Sequence, residues 1–137
     1  MDTTGLKICL IDDDRIYQFA ARKIIEATGL ANNVMTFSNG REALQHLQTN
    51  ADSSTDLPDV IFLDINMPVM NGWQFLDAFK SIGPKLSKPV TIYMVSSSVD
   101  EYDINKSRDY NEVTDYIIKP VHREKFKEVL ADLNCAE

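Results

Sequence analysis

Residues 60–64 of the chain read Val-Ile-Phe-Leu-Asp, four consecutive apolar residues followed directly by a carboxylate. Similar dense apolar runs occur at residues 8–11, 90–95 and 116–118, and a weaker one lies at residues 33–37. Apolar runs that do not alternate with polar residues are typical of strands covered on both faces, as in a parallel sheet. The sequence therefore predicts five short, buried strands.

Segments with helical spacing follow these runs, and each is assigned one apolar face. The predicted faces are Ile16, Phe19, Ala20, Ile24 and Ala27; then Ala43, Leu44 and Leu47; then Gly72, Phe75, Leu76 and Phe79; and finally Phe126, Val129, Leu130 and Leu133. Residues 99–110 have only a thin apolar stripe, which predicts a short, weakly packed helix. Alternating strands and helices indicate an α/β fold, a doubly wound five-stranded parallel sheet with helices on both faces.

Length and charge limit the classes of function. With 137 residues, the chain is expected to form a single domain, with its core at about residues 6–134 and no output domain. The net charge of −7 argues against binding to nucleic acid or to an anionic membrane. No signal-peptide or membrane-span pattern is present, which predicts a cytoplasmic protein. Cys9 and Cys135 have no metal-site spacing and suggest no disulfide framework.

Polar residues follow the predicted strands at the edge where ligands bind in such sheets. Asp12 and Asp13 follow the first run, Asp64 the third, Ser96 the fourth and Lys119 the fifth. Three neighbouring carboxylates repel one another unless a cation neutralises them, and an all-oxygen site with few protein ligands favours Mg²⁺. The next residue, Asp14, is instead predicted to cap the following helix.

As a set, these residues resemble the receiver domain of two-component response regulators, of the stand-alone chemotaxis type. The resemblance rests on Asp12-Asp13, on Leu-Asp-Ile-Asn-Met-Pro at residues 63–68 with Gly72, on Val-Ser at residues 95–96, and on Tyr-Ile-Ile-Lys-Pro at residues 116–120. It covers essentially the whole chain. It implies the flavodoxin-like form of the five-stranded parallel fold predicted above.

The resemblance implies that Asp64 accepts a phosphoryl group from a sensor histidine kinase or a histidine phosphotransfer protein. Asp13, Asp64 and the backbone carbonyl of Asn66 would hold Mg²⁺, with Asp12 acting through a metal-bound water. Lys119 would offset charge on the phosphoryl oxygens. No enzymatic activity is expected beyond self-catalysed phosphoryl transfer and autodephosphorylation.

The family resemblance also implies a switch that reports phosphorylation to a partner. The Ser96 hydroxyl would bind a phosphoryl oxygen, and Tyr116 would turn inward. An effector protein would then bind the surface formed by the fourth helix, fifth strand and fifth helix. The same resemblance implies a cis peptide bond between Lys119 and Pro120.

Some features depart from the family pattern or leave alternatives open. Ser97 stands where a smaller residue is usual, and the polar loop at residues 49–56 is long. The positions of Asn66 and Ser98 influence phosphoryl lifetime in the family, but the sequence does not give that lifetime. A haloacid-dehalogenase-like phosphatase, suggested by Asp12-x-Asp14, and an inactive receiver-like scaffold are the alternatives. His46 and His122 have no partner spacing and are predicted to be ordinary surface residues.

Overall fold

The computed structural model describes residues 5–135. The strands are β1 (Leu6–Ile11), β2 (Ala31–Phe37), β3 (Val60–Leu63), β4 (Thr91–Ser96) and β5 (Val113–Ile118). The helices are α1 (Arg15–Ala27), α2 (Gly40–Thr49), α3 (Gly72–Ile82), α4 (Glu101–Ser107) and α5 (Arg123–Cys135), with a short 3₁₀ turn at Gly83–Lys85. All strand pairs are parallel, in the order β2-β1-β3-β4-β5. The predicted doubly wound fold is confirmed.

The sheet separates two apolar clusters, and successive residues of one strand contribute to opposite clusters. In β3, Phe62 packs with residues of α1 and α5, whereas its neighbours Ile61 and Leu63 pack with residues of α2 and α3. Side chains alternate across a strand, so a strand covered on both faces has apolar residues at every position. This explains why the strongest apolar runs are found in the central strands.

The predicted apolar face of α1 is wrong in its most exposed members. Ile16 and Phe19 are 83% and 64% exposed, and the buried residues of α1 are Gln18, Ala21 and Ile25. The physical reason lies in Gln18, whose side-chain amide donates hydrogen bonds to the carbonyl oxygens of Asp12 and Phe37. These bonds satisfy a polar group in the interior, so the helix turns this face inward.

Helices α2 and α3 bury the residues that were predicted for them, and α5 buries Phe126, Val129 and Leu130. The short helix predicted within residues 99–110 is also found. It is α4, which is seven residues long and whose only buried residue is Ser107. The expectation that the fifth run is covered on both faces is wrong, because β5 is an edge strand and Ile118 is 44% exposed.

Cys9 is a buried free thiol in β1, as predicted. The side chain of Cys135 and residues 1–4 lie outside the described part of the chain. Within residues 5–135, none of the helices combines the length and the apolar character that crossing a membrane requires.

Candidate functional site

The carboxyl ends of β1 and β3 bring three carboxylates together. The backbone N–H of Asp64 donates to the carbonyl of Ile11 over 2.9 Å, which fixes the two strand ends side by side. One carboxylate oxygen from each of Asp12, Asp13 and Asp64 lies within 4.8 Å of the other two. Asp12 and Asp64 are buried, whereas Asp13 is exposed. The predicted acidic cluster is therefore formed, with one open side.

Lys119 reaches the cluster from the end of β5. Its backbone N–H donates to the carbonyl of Ser96 over 2.9 Å, and the Lys119–Pro120 peptide bond is cis, as the resemblance implies. The Lys119 ammonium lies 2.6 Å from Oδ2 of Asp12 and 3.9 Å from Oδ1 of Asp64. It thus pairs closely with Asp12 and more loosely with Asp64.

Asp64 carries charge that its neighbours do not fully neutralise. Burial and the nearby Asp12 carboxylate raise the pKa of Asp64 to about 6. The Lys119 ammonium and the backbone N–H of Ile65, which donates to Oδ1 of Asp64 over 2.9 Å, oppose this rise. A divalent cation between the carboxylates would supply the missing positive charge. The donor set is made of hard oxygen atoms, which fits Mg²⁺.

The open side of the cluster faces the loop between β3 and α3. Asn66 is exposed and, with Asp13, Met67, Pro68 and Asn71, lines an open cavity of about 450 Å³. Gly72 allows α3 to begin against the strand that carries Asp64. A Cβ atom at Gly72 would lie 2.4 Å from the carbonyl oxygen of Asp64, so any other residue here would force the backbone to shift.

Ser96 lies at the end of β4, and hydrogen bonds connect it to Tyr116 and α4. Its buried hydroxyl accepts a bond from the backbone N–H of Ser98 over 3.1 Å. The Tyr116 hydroxyl donates to the Ser98 carbonyl over 2.9 Å, and the Ser98 hydroxyl donates to Asp103 of α4 over 2.8 Å. Ser97, by contrast, is exposed. Ser98 is therefore hydrogen-bonded to Ser96, to α4 and to β5.

Two residues of α1 belong to the site, although neither was predicted from the sequence. The side chain of Gln18 donates to the Asp12 carbonyl, and the Lys119 ammonium lies 4.2 Å from the centre of the Tyr17 ring. Burial, together with the negative charges of Asp12 and Asp64, raises the pKa of Tyr17. The sequence places Tyr17 in the first turn of the helix that follows Asp13, but it does not show which face of this helix turns inward.

The structure separates Asp14 from the acidic cluster. Oδ1 of Asp14 accepts bonds from the backbone N–H groups of Ile16 and Tyr17, so Asp14 caps α1 as predicted. This geometry does not favour the phosphatase alternative, which needs Asp14 beside Asp12.

The two histidines differ in their surroundings. His122 is exposed, as predicted. His46 is half-buried, with its ring 5.4 Å from that of Phe37, because it packs against the end of β2. His46 is therefore more buried than the ordinary surface residue that the sequence predicted.

Comparisons with known proteins identify the family. Residues 8–131 match the response regulator receiver domain family. A crystal structure of a two-component response regulator from Cytophaga hutchinsonii superimposes with a TM-score of 0.85 at 28% identity, covering 97% of this chain and 99% of that one. A response regulator receiver protein from Dyadobacter fermentans gives a TM-score of 0.80 at 26% identity, covering 94% of this chain and 98% of that one.

The curated relatives are matched over very different shares of their own length. A probable methanogenesis regulatory protein, FilR2 of Methanothrix harundinacea, is 25% identical over 126 residues, which are 92% of this chain and 79% of that protein. A protein-glutamate methylesterase/protein-glutamine glutaminase of Treponema denticola is 34% identical over 117 residues, 84% of this chain but only 28% of that protein. The chain thus spans a minor part of some relatives. The family match over most of its length, joined to the acidic cluster at the ends of β1 and β3, shows that this chain belongs to the response regulator receiver domain family of two-component signalling.

Proposed function

We propose that Asp64 is the phosphoacceptor of this receiver domain and that its phosphorylation switches a protein-binding surface. The observation that carries the proposal is the placement of Asp64. Its carboxylate is buried at the end of β3, beside Asp12 and Asp13, with the Lys119 ammonium 3.9 Å away. An oxygen nucleophile next to a cation and a carboxylate cluster is what phosphoryl transfer to an aspartate requires.

In the proposed step, a carboxylate oxygen of Asp64 attacks the phosphorus atom of a phosphohistidine on a histidine kinase or a phosphotransfer protein. The new O–P bond forms as the P–N bond breaks, and the electron pair returns to the imidazole nitrogen, which takes up a proton. Lys119 offsets charge on the phosphoryl oxygens from its position between Asp12 and Asp64.

Mg²⁺ fits the residues around Asp64. Asp13, Asp64 and the backbone carbonyl of Asn66 would hold it, with Asp12 acting through a bound water. When bound, Mg²⁺ supplies positive charge to the phosphoryl oxygens during transfer. Asp64 must be ionised both to bind the cation and to attack phosphorus. Because burial and the Asp12 carboxylate raise the pKa of metal-free Asp64 to about 6, we expect protons to compete with Mg²⁺ for Asp64 below that pH.

We propose that phosphorylation changes the surface formed by α4, β5 and α5. A phosphoryl group adds negative charge and acceptor oxygens at Asp64, which draws the Ser96 hydroxyl away from the Ser98 N–H. The Ser98 carbonyl is the acceptor for Tyr116, so the ring loses its present anchor. We propose that an effector protein recognises the rearranged surface, and that no catalytic activity beyond phosphoryl transfer and its reversal by hydrolysis is involved.

Charge and family context support a protein partner in the cytoplasm. The net charge of −7 disfavours nucleic acid and anionic membranes as partners. A hybrid signal transduction histidine kinase of Dictyostelium discoideum is 32% identical over 125 residues, 90% of this chain and 7% of that protein. Receiver sequences similar to this one thus occur within a kinase, in keeping with a phosphohistidine donor.

The phosphoacceptor is tested with acetyl phosphate as donor and intact mass as readout. We expect one phosphoryl group per chain in the presence of Mg²⁺, none after chelation, and none on an Asp64→Asn variant. Peptide mapping after borohydride reduction locates the modified aspartate. Modification of Asp12 instead would favour the phosphatase alternative, and full modification of Asp64→Asn would refute the proposal.

The switch is tested by backbone amide NMR with beryllofluoride and Mg²⁺. We expect large shift changes from Ser96 through Tyr116 and in α4, and smaller ones in Ser96→Ala, which keeps the acceptor but lacks the hydroxyl. Changes confined to the residues around Asp64 would place the output surface elsewhere.

A further inference from the structure

The side chain of Tyr17 lies beside the carboxylate cluster, but its hydroxyl makes no hydrogen bond with the described residues. Its ring is half-buried, and within residues 5–135 its buried hydroxyl has no hydrogen-bond partner. The position of the side chain is therefore not explained by a bond from the hydroxyl. The side chain instead contacts a charge through the face of its ring, whose centre lies 4.2 Å from the Lys119 ammonium.

Lys119 is held between this ring and the carboxylates. Its ammonium lies 2.6 Å from Asp12 and 3.9 Å from Asp64, and its side chain is 18% exposed. An ammonium over the face of an aromatic ring is attracted by the negative charge of that face, and the attraction grows when water is excluded. The ring also occupies space through which a flexible lysine would otherwise turn towards solvent.

We propose that Tyr17 is a positioning residue for phosphoryl transfer, and that the face of its ring keeps the Lys119 ammonium beside Asp64. This inference rests on the proposed function of Asp64 and Lys119. The attraction between a cation and a ring varies gently with lateral position, unlike a hydrogen bond. The ammonium can therefore shift from Asp12 towards a phosphoryl group on Asp64 while it stays in contact with the ring.

The expected effect follows from the strength of such contacts. Removal of the ring should weaken the interaction between Lys119 and the phosphoryl group by between about twofold and about thirtyfold. The phenol hydroxyl should matter little, because it makes no hydrogen bond with the described residues. Tyr17→Phe should therefore keep the interaction between Lys119 and the phosphoryl group that Tyr17→Leu weakens.

The experiment compares Tyr17→Leu and Tyr17→Phe with the wild-type chain. Beryllofluoride affinity in excess Mg²⁺ and the initial rate of phosphorylation by acetyl phosphate are measured for each. Phe19→Leu is the matched control, because Phe19 lies on the same helix with its ring 5.4 Å from the Lys23 ammonium but is 64% exposed. Thermal unfolding checks that each variant is folded, and Tyr17→Met replaces Tyr17→Leu if the latter is not.

Two further measurements separate positioning from packing. In a Lys119→Ala background, Tyr17→Leu should have no additional effect on beryllofluoride affinity, since the ring then has no ammonium to hold. In the unmodified wild-type chain, the ring should also shift the Lys119 methylene proton signals upfield in NMR spectra, and this shift should disappear in Tyr17→Leu and persist in Tyr17→Phe.

The outcomes distinguish this inference from the function on which it rests. Loss of affinity and rate in Tyr17→Leu, restoration in Tyr17→Phe and no effect of Phe19→Leu support the inference. Normal modification of Asp64 in the wild type together with an unchanged Tyr17→Leu overturns the inference alone. An equal loss of beryllofluoride affinity from Tyr17→Leu in the wild-type chain and in the Lys119→Ala background also overturns the inference alone. A wild-type chain that is not modified at Asp64 overturns the proposed function and the role of Tyr17 with it.

Discussion

Replacing Asp64 with asparagine should make the metal-free protein more stable. The folded chain raises the pKa of Asp64 from an ordinary 3.8 to about 6, mainly through burial and the Asp12 carboxylate. At neutral pH the ionised Asp64 therefore opposes folding. Asparagine keeps an oxygen that can accept the bond from the Ile65 N–H, which now spans 2.9 Å, but it carries no charge.

The size and pH dependence of the effect follow from linkage. A shift of about two units corresponds to roughly 3 kcal/mol at 1.36 kcal/mol per unit, and relaxation around the asparagine amide should reduce this to about 2 kcal/mol. The pKa of Asp64 is higher in the folded chain than in the unfolded chain. Its protonation therefore stabilises the fold; this stabilisation is fully present below about pH 4 and is lost as the pH rises through about 6. The advantage of Asp64→Asn should thus be much smaller at pH 4.5 than at pH 7.5, where it is complete.

Urea unfolding of both chains at pH 4.5, 6.0 and 7.5, with EDTA, measures this advantage. Added Mg²⁺ should reduce the difference in unfolding free energy between the two chains at pH 7.5, because the cation binds and stabilises the wild-type carboxylate cluster more than that of the variant. Asp59→Asn is a matched control at the opposite end of β3. Asp59 accepts bonds from the Lys88 ammonium over 2.9 Å and the Lys7 N–H over 2.8 Å, so this variant should be destabilised.

The result that refutes this reasoning is a metal-free Asp64→Asn chain that is no more stable than the wild type at pH 7.5. An advantage of the same size at pH 4.5 and pH 7.5 would also refute it, since the gain would then not come from removal of the charge.

Three further predictions concern the loop after Asp64 and helix α4. Gly72→Ala should cost about 1–3 kcal/mol in urea unfolding and weaken beryllofluoride binding, because its Cβ would meet the Asp64 carbonyl at 2.4 Å; unchanged stability would contradict this. Val69→Asn should raise the unfolding free energy by about 1 kcal/mol, because Val69 has a φ of 67°, a backbone conformation that is less strained for asparagine than for a β-branched residue; a less stable variant would contradict it. The only tryptophan, Trp73, has the Lys106 ammonium of α4 5.0 Å from its ring. Its fluorescence should change with beryllofluoride, and an equal change in Lys106→Ala would show that α4 is not the source.

The fold was predictable from the sequence because its central strands are buried on both faces. In β3, all four residues are buried, and Asp64 follows at once, so the strand and the position of the carboxylate were read from one segment. The same logic placed Asp12 and Lys119 at the same edge, since parallel strands bring their carboxyl ends together. These residues could be predicted because, in a parallel sheet, every residue that follows the carboxyl end of a strand lies at the same edge of the sheet.

The orientation of α1 was not predictable in the same way. Its sequence contains one possible face with Ile16 and Phe19 and another with Gln18, Ala21 and Ile25. Hydrophobicity favours the first, whereas the structure buries the second. The deciding interactions are the bonds from Gln18 to the carbonyl groups of Asp12 and Phe37, which exist only once β1 and β2 have been paired. Tyr17 was missed for the same reason, because its neighbour Lys119 is distant in sequence.

In the proposed switch, the weak packing of α4 would let a charge added at Asp64 change the protein surface. Ser96, on the neighbouring strand β4, shares a backbone bond with Lys119 and a hydroxyl bond with Ser98. Ser98 in turn is bonded to Tyr116 and to Asp103 of α4. A modification can shift a conformational equilibrium only by the difference in free energy that it makes between the two states. A helix held by many buried contacts would need a large free-energy difference to move. A seven-residue helix with one buried residue needs only a small one. The thin apolar stripe that predicted a weakly packed helix is therefore a requirement of the proposed switch.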